Sequence, residues 1–411
     1  GGAVMKRLFS VGIVLSLLLA LLTGCQSPGP EQDLGNKFIF GEDNQYYYRM
    51  SRILGSPMAE SEESIYIVKR RYIYSKNKKT GEIIPLCNKP DCMHDDSEFN
   101  DDGSSNCNAY VGVALAFEYY HNKLYFITAF RELYEMDKSG TTRKRLMQWE
   151  EEFPCAPIIH RGYLYVSFTN SDGLPDEYTE EEKKGLSYRV DRYRIDRWDG
   201  KPETIYEKKG AYGQINVMFA YGNQVYMSLD ISEEDGMIVY DILEKTTSFH
   251  PEIQGYAVPI DGKLLHYVPS DVPETGGLTQ EEMNAIEEKL MAVLSDLQGN
   301  LIQETEIPMT YSSLFSNSTL IAADNESSAG YGADPTAILG ERKIRFYDTD
   351  AKLIREIKLE QENLRSVIGM NEDFLIYSVK NKQNQLDLWS IDLHKLDDPD
   401  LKGEPFFVSE E

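Results

Sequence analysis

His160-Arg161-Gly162-Tyr163-Leu164-Tyr165-Val166 reads as a tight turn running into a strand of alternating aromatic and aliphatic residues. Gly162 can take the positive φ that a two-residue hairpin needs, and the alternation suits a pleated, half-buried surface. The same pattern recurs as His121-Asn122-Lys123-Leu124-Tyr125-Phe126, as Tyr221-Gly222-Asn223-Gln224-Val225-Tyr226-Met227 and as Ile260-Asp261-Gly262-Lys263-Leu264-Leu265. Weaker copies are Phe315-Ser316-Asn317-Ser318-Thr319-Leu320 and Met370-Asn371-Glu372-Asp373-Phe374-Leu375. Such self-similarity marks a repeat architecture.

Most copies are followed by a third strand that ends in an acidic or Gly turn, and then by a fourth. Glu132–Gly140, Asp191–Gly200, Lys343–Asp348 and Leu386–Asp392 fill the third slot. The first unit keeps only its later part: Ser64–Val68, Arg71–Ser75, a Lys79-Thr80-Gly81 turn and Glu82–Leu86. Four strands per unit, repeating every 40 to 60 residues or about that, is the period of propeller blades. The expectation is an all-β chain whose residues 37–411 form a β-propeller of about seven four-stranded blades, expected to be a monomer. A pair of β-sandwiches is the competing fold, and the regular repeat argues against it. The Tyr and Leu residues are expected to pack blade against blade rather than to form a sugar-binding platform.

Three insertions lie between second and third strands: Asn170–Leu186, with a Thr179 cap and Glu182 three residues on; Leu278–Leu290, a helix opened by Thr279 and Glu282; and Ala323–Leu339. That connection and the blade-to-blade connection open on one face, so the elaborated loops should cluster there.

Working back to the start, Met5-Lys6-Arg7 is a short basic region and Leu8–Leu22 an apolar stretch of signal-peptide length. Leu22-Thr23-Gly24-Cys25 is similar to the lipobox of bacterial lipoproteins, which makes residues 1–24 a signal peptide and Cys25 the acylated residue of the mature chain. Residues 25–36, rich in Pro, Gly and polar groups, read as a flexible tether. The membrane is thus a partner through the N-terminal lipid, on the extracytoplasmic face. The chain carries 68 acidic against 42 basic residues, a formal net charge of -26. That charge repels phosphate backbones, excluding nucleic acid as a ready partner, and it repels anionic membrane surfaces, leaving the lipid as the anchor.

Beyond Cys25 there are four cysteines. Cys87-Asn88-Lys89-Pro90-Asp91-Cys92-Met93-His94 and then Cys107 sit in the segment joining unit one to unit two, and Cys155 in the equivalent connection one blade later. Three readings stand open. Disulfides suit an exported chain, Cys87–Cys92 with Cys107–Cys155 being one of three pairings. Three thiolates with His94 would make a tetrahedral metal site, zinc first, although the spacing matches no module built on two-residue knuckles. Reduced thiols in an anaerobic habitat are the third. The neighbouring Asp91, Asp95, Asp96, Glu98, Asp101 and Asp102 lack the register of a calcium loop.

No nucleophile elbow, His-Glu-x-x-His pair or phosphate loop is present, and His121 and His160 occupy turn positions that suggest scaffold roles. Taken together, lipobox, blades and the Cys-x4-Cys-x-His loop resemble propeller lipoproteins of Gram-positive bacteria, within the broad TolB-like and low-density-lipoprotein-receptor-like propeller group. The resemblance implies a fold and a location and no activity. Two functions follow as expectations: a surface module binding an extracellular protein, peptide or glycan, or an extracellular glycan hydrolase or lyase on a propeller scaffold. An enzyme should show a central pocket of convergent carboxylates, His or Tyr; a binder should show a broad loop-built surface.

Overall fold

The computed structural model describes residues 33–45, 58–69, 71–100, 105–150, 153–169, 179–210, 213–231, 234–268, 289–308, 313–325, 342–359, 364–383 and 385–408. Cys25, the signal peptide, most of the tether, the Thr279 helix, Asp101, Asp102 and most of the Ala323–Leu339 loop lie outside the described residues.

Seven four-stranded antiparallel sheets form in strict chain order. Blade 1 is β1 Met58–Glu60, β2 Ser64–Lys69, β3 Tyr72–Asn77 and β4 Ile83–Pro85. Blade 2 is β5 Ala114–Tyr120, β6 Lys123–Thr128, β7 Glu132–Asp137 and β8 Arg143–Gln148. Blade 3 is β9 Phe153–His160, β10 Tyr163–Thr169, β11 Ser187–Arg194 and β12 Pro202–Lys209. Blade 4 is β13 Gly213–Tyr221, β14 Gln224–Ile231, β15 Glu234–Asp241 and β16 Thr246–His250. Blade 5 is β17 Gln254–Ile260, β18 Lys263–Tyr267, β19 Met291–Asp296 and β20 Leu301–Pro308. Blade 6 is β21 Ser313–Ser316, β22 Ile321–Asp324, β23 Lys343–Tyr347 and β24 Leu353–Lys358. Blade 7 is β25 Leu364–Met370, β26 Phe374–Lys380, β27 Leu386–Asp392 and β28 Glu404–Phe407.

The first strands line the axis, with β1 beside β5, β5 beside β9, β9 beside β13 and β17 beside β21. The fold is a seven-bladed β-propeller, as the repeat predicts. Leu124, Leu164, Val225 and Leu264 are the second residues of their blades' second strands, whereas Phe374 opens β26 and Leu320 directly precedes β22, so the last two copies are aligned one residue early. The turns use the positive φ that the pattern anticipates, at Asn122 (62°), Gly162 (85°), Gly222 (59°) and Gly262 (71°). Helix is confined, among the described residues, to α1 Glu180–Lys183 and two single 3-10 turns; α1 opens on the Thr179–Glu182 capping box read from the sequence.

The core lies between blades. Tyr165, Tyr188 and Val190 of blade 3 pack against Val217, Met227 and Tyr240 of blade 4, and Phe346 of blade 6 packs against Met370 and Tyr377 of blade 7. Tyr66, Tyr165, Tyr226, Tyr347 and Tyr377 are among the largest fully buried side chains, so these tyrosines pack the scaffold. The ring closes by side chains. Met58, Ile65 and Ile67 of blade 1 meet Ile376, Leu388 and Phe407 of blade 7. Beside them Lys69 Nζ donates to Asp387 Oδ1 at 3.0 Å and to Phe407 O at 3.3 Å, with both charges buried.

One element was not anticipated. Residues 33–45 lie across the axis at the end of the ring where first strands turn into second strands. Asn223 donates to Asp33 Oδ1 at 2.7 Å, Arg161 Nε donates to Asp43 Oδ1 at 2.8 Å, and the Gln45 amide pairs with both backbone groups of Glu60. Residues 33–36, read as the end of the tether, are therefore docked on blade 4.

Candidate metal centre

Cys87 follows the short strand β4, where Leu86 N still donates to Ile73 O at 2.8 Å. The chain then loops out and returns through Cys107. Ile73 N donates to Ala109 O (2.7 Å) and Val111 N to Arg71 O (2.8 Å), so residues 109–111 take over from β4 as the outer neighbour of β3. The two ends of the loop are thereby held side by side on the outer edge of blade 1. The β7–β8 hairpin of blade 2 braces them. Gly140, at φ 73°, sits so close that a Cβ there would lie 2.4 Å from Leu86 O and 2.9 Å from Cys87 N. Asn108 Nδ2 donates to the carbonyls of Gly140 (2.8 Å) and Thr141 (3.1 Å). Asp137 stiffens that hairpin by accepting N–H groups of Ser139 and Thr141. The loop thus packs on the flank between blades 1 and 2, which corrects the expectation that it would stand among the long loops.

The ligating atoms of Cys87, Cys92, His94 and Cys107 all lie within 4.8 Å of one another. His94 Nδ1 is 3.5 Å from Cys107 Sγ. Around a tetrahedral zinc ion, bond lengths of about 2.3 Å to sulfur and 2.0 Å to nitrogen put those two atom types about 3.5 Å apart and two sulfurs about 3.8 Å apart. The cluster therefore fits a four-coordinate ion with little movement. No disulfide joins any of Cys87, Cys92, Cys107 and Cys155. Cys155 is not one of the four and does not sit in a connection; it belongs to β9, opposite Ser167, because the strand starts earlier than the apolar pattern indicates.

Each sulfur also accepts a backbone N–H from two residues on: Cys87 from Lys89, Cys92 from His94 and Cys107 from Ala109, with Asn108 N adding a second donor to Cys87. Amide dipoles aimed at sulfur favour thiolate. Burial pushes Cys107 up to about 12 and raises Cys92. Burial is the largest single effect on Cys87 as well, but the Lys89 and Asn108 amides and the neighbouring thiols outweigh it and hold Cys87 below its ordinary value. The thiols repel a second and third negative charge, and a divalent cation placed among them removes that obstacle. Arg143, whose guanidinium donates to Tyr110 O and lies 4.4 Å from the Tyr134 ring centre, places a cation beside Cys107. A site of three thiolates, one imidazole and a divalent ion carries one net negative charge, which this arginine balances.

The chain matches no family model and no curated protein. Its fold is similar to solved structures. An oligogalacturonate lyase from Vibrio parahaemolyticus superposes with a TM-score of 0.52 at 10% identity, over 85% of this chain and 90% of that one. An oligogalacturonate lyase in complex with manganese gives 0.51 at 10%, over 85% and 88%. The likeness is one of fold.

The axial end under residues 33–45 holds the other concentration of polar groups. Asn44 N donates to His160 Nδ1 at 3.0 Å, and His160 Nε2 meets Gly222 O at 2.8 Å. A carbonyl only accepts, so the proton is on Nε2 and Nδ1 is the acceptor. Burial depresses His160 to about 4 and lifts Glu118, which accepts from Asn44 Nδ2, to about 8. These groups are engaged by the chain's own segment. His121 likewise pairs with Glu42. Both histidines are scaffold.

Two acidic residues of the Cys loop are engaged by the loop's own backbone: Asp95 Oδ1 accepts from Ser97 N and Glu98 Oε1 accepts from Met93 N. Among the described residues, the three thiols with His94 are the sole group arranged to hold a metal. The sequence named these ligands. It did not reveal the amide donors or the Gly140 brace, because backbone groups carry no residue signature and the brace comes from another blade.

Proposed function

We propose that this chain is a lipid-anchored propeller on the outer face of a cell membrane, that it binds an extracellular protein, peptide or glycan, and that Cys87, Cys92, His94 and Cys107 hold a structural zinc ion. The observation that carries this reading is the closed donor set. Four protein donors lie within 4.8 Å of one another, enough to fill a tetrahedral ion's coordination and leave no position for water or substrate, as structural zinc sites require and catalytic ones do not. Three sulfurs and an imidazole favour zinc over magnesium, calcium or manganese, which prefer oxygen. The bound ion would fix a polar loop that has few apolar side chains to bury and would tie it to blades 1 and 2.

The lyase alternative draws on fold likeness alone. The carboxylate of Glu118 and the imidazole of His160 near the axis are both held by Asn44 rather than open to a substrate, which favours binding over turnover. The test is a screen of the metal-loaded protein against glycan and secreted-peptide arrays, run beside an assay for glycan cleavage. Specific binding without cleavage supports the module; cleavage that survives full purification sinks it. Acylation is checked separately: Cys25→Ala should abolish the lipid-bearing N-terminal peptide in mass spectra, and an acyl chain persisting on that variant removes the anchor.

A further inference from the structure

We propose that residues 33–45 are a docked strap that sets which way the anchored propeller faces: the first-to-second-strand hairpins towards the bilayer, and the second-to-third-strand connections away from it. This rests on the reading of Cys25 as the anchor.

Topology supplies the first half. In an antiparallel four-stranded blade, the first-to-second and third-to-fourth hairpins fall at one end, and the second-to-third and blade-to-blade connections at the other. All seven sheets here have that order. The strap's contacts are on the hairpin end in four consecutive blades. Gln45 holds Glu60 at the end of β1. Glu42 pairs with His121 in the β5–β6 turn. Asp43 pairs with Arg161 in the β9–β10 turn, where both side chains are almost fully buried. Asp33 accepts from Asn223 in the β13–β14 turn. The adjoining Gly222 leaves room for Asn36, whose Cα is 2.9 Å from where a Cβ at 222 would stand.

Several independent anchorages spread over four blades hold the strap as a part of the ring, and a buried ion pair among them resists peeling. The chain leading to Asp33 must therefore leave from the hairpin end. From Cys25 to Asp33 there are about eight residues, with a reach of roughly 28 Å when fully stretched. The ring itself is on the order of 25 Å deep, from strands of up to nine residues at about 3.3 Å each. The strap is fastened at the inner turns, so to turn the ring over the tether would first have to cross a blade, about 14 Å for four strands, and then run its depth, a path its reach does not cover while the strap stays docked. The strongly acidic surface, with a net charge of -26, would not adhere to an anionic bilayer by its side, so the strap decides the orientation.

Among the second-to-third-strand connections, those between β10 and β11, β18 and β19, and β22 and β23 are the long ones, and all leave from strand ends away from the strap. The strap thus gives the bilayer the plain end of the ring and gives partners the elaborated one.

The experiment places an azide-bearing residue for dye attachment at Asp261, in the exposed β17–β18 turn, or at Lys382, in the exposed β26–β27 turn. The full acylated chain is reconstituted in vesicles with an acceptor dye in the headgroups. Energy transfer from position 261 should exceed that from position 382 by about twofold or more, given the depth of the ring. Asp43→Asn, which breaks the buried pair to Arg161, should narrow the difference without loss of β-sheet circular dichroism. Equal or reversed transfer on vesicles where mass spectrometry finds acylated Cys25 overturns the strap. If Cys25 carries no lipid, the anchor reading falls by itself. The strap is then decided by the same two positions on nickel-chelating vesicles, with a hexahistidine replacing the residues before Gln26. There too, equal transfer overturns it.

Discussion

Chelating the metal should loosen one stretch of the chain and leave the rest of the propeller unchanged. The ion would close a loop from Cys87 to Cys107, about twenty residues, and closing a loop of that length removes about 3 kcal/mol of chain entropy. Opening this loop needs only the 109–111 pairing with β3 and the contacts to Gly140 to give way, so the loss appears in local rather than global opening. At 1.36 kcal/mol for each tenfold, 3 kcal/mol is about a hundredfold. Hydrogen exchange followed by mass spectrometry should therefore show the Val111 amide, which donates to Arg71 O, exchanging about a hundredfold faster after treatment with a chelator. Amides of β14 should be unaffected. Protein purified without chelators should hold close to one zinc per chain; Cys107→Ser should lose it and Cys155→Ser should keep it. Unchanged exchange at Val111, or equal zinc loss in the Cys155 variant, would refute a crosslink at this cluster.

Asp387→Ala leaves Lys69 buried without its charge partner at the closure of the ring and should lower unfolding free energy by about 3–5 kcal/mol in urea titration. Replacing both partners at once, Lys69→Met with Asp387→Leu, should cost much less, and equal losses in the two variants would show the pair contributes nothing specific. Gly140→Ala forces a Cβ against Leu86 O at a positive φ; it should destabilise by about 1–3 kcal/mol and speed zinc loss to a competing dye, whereas Ser139→Ala should leave zinc loss unchanged. The pH dependence carries two opposed contributions. Burial raises folded Glu118 to about 8 from 4.5, so the native state binds its proton more tightly and this contribution falls away as pH rises from about 4.5 to 8. Burial lowers folded His160 from 6.5 to about 4, so its contribution is lost as pH falls through that window. Of these two, Glu118 alone acts between pH 6.5 and 8, and Glu118→Gln should flatten the decline in melting temperature there; an unchanged slope would count against the assignment.

The blades were legible because their signal is local and repeated. A Gly or Asn at the turn and an alternating strand after it recur six times, and each copy occupies its own sheet. The ligand set was legible too, since sulfur and imidazole are rare enough to stand out. What stayed hidden was produced by distance along the chain. Asp43, Asn44 and Gln45 look like any polar stretch, and only the folded ring brings Arg161, His160 and Glu60 to them. Cys155 was misplaced because β9 starts at Phe153, earlier than the apolar pattern indicates, and already pairs with β10 at Pro154. Choosing between disulfide and metal required the positions of three sulfurs and an imidazole, which spacing alone does not encode.

The closure of the ring has a consequence for how such a molecule can change over generations. Every sheet is made from one uninterrupted run of sequence, and among the described residues no strand is shared across the seam between blade 7 and blade 1. A recombination event that falls between blades therefore moves a whole sheet and orphans no strand. Copying a blade or dropping one alters the circumference and asks only that a new pair of flanks learn to fit, with Lys69 and Asp387 still available as the latch. In a propeller that shares a strand across its seam, the same event would tear the sheet that holds the circle shut. This chain is built as seven consecutive cassettes, each a complete sheet, and its relatives should be sought with neighbouring blade counts as readily as with its own.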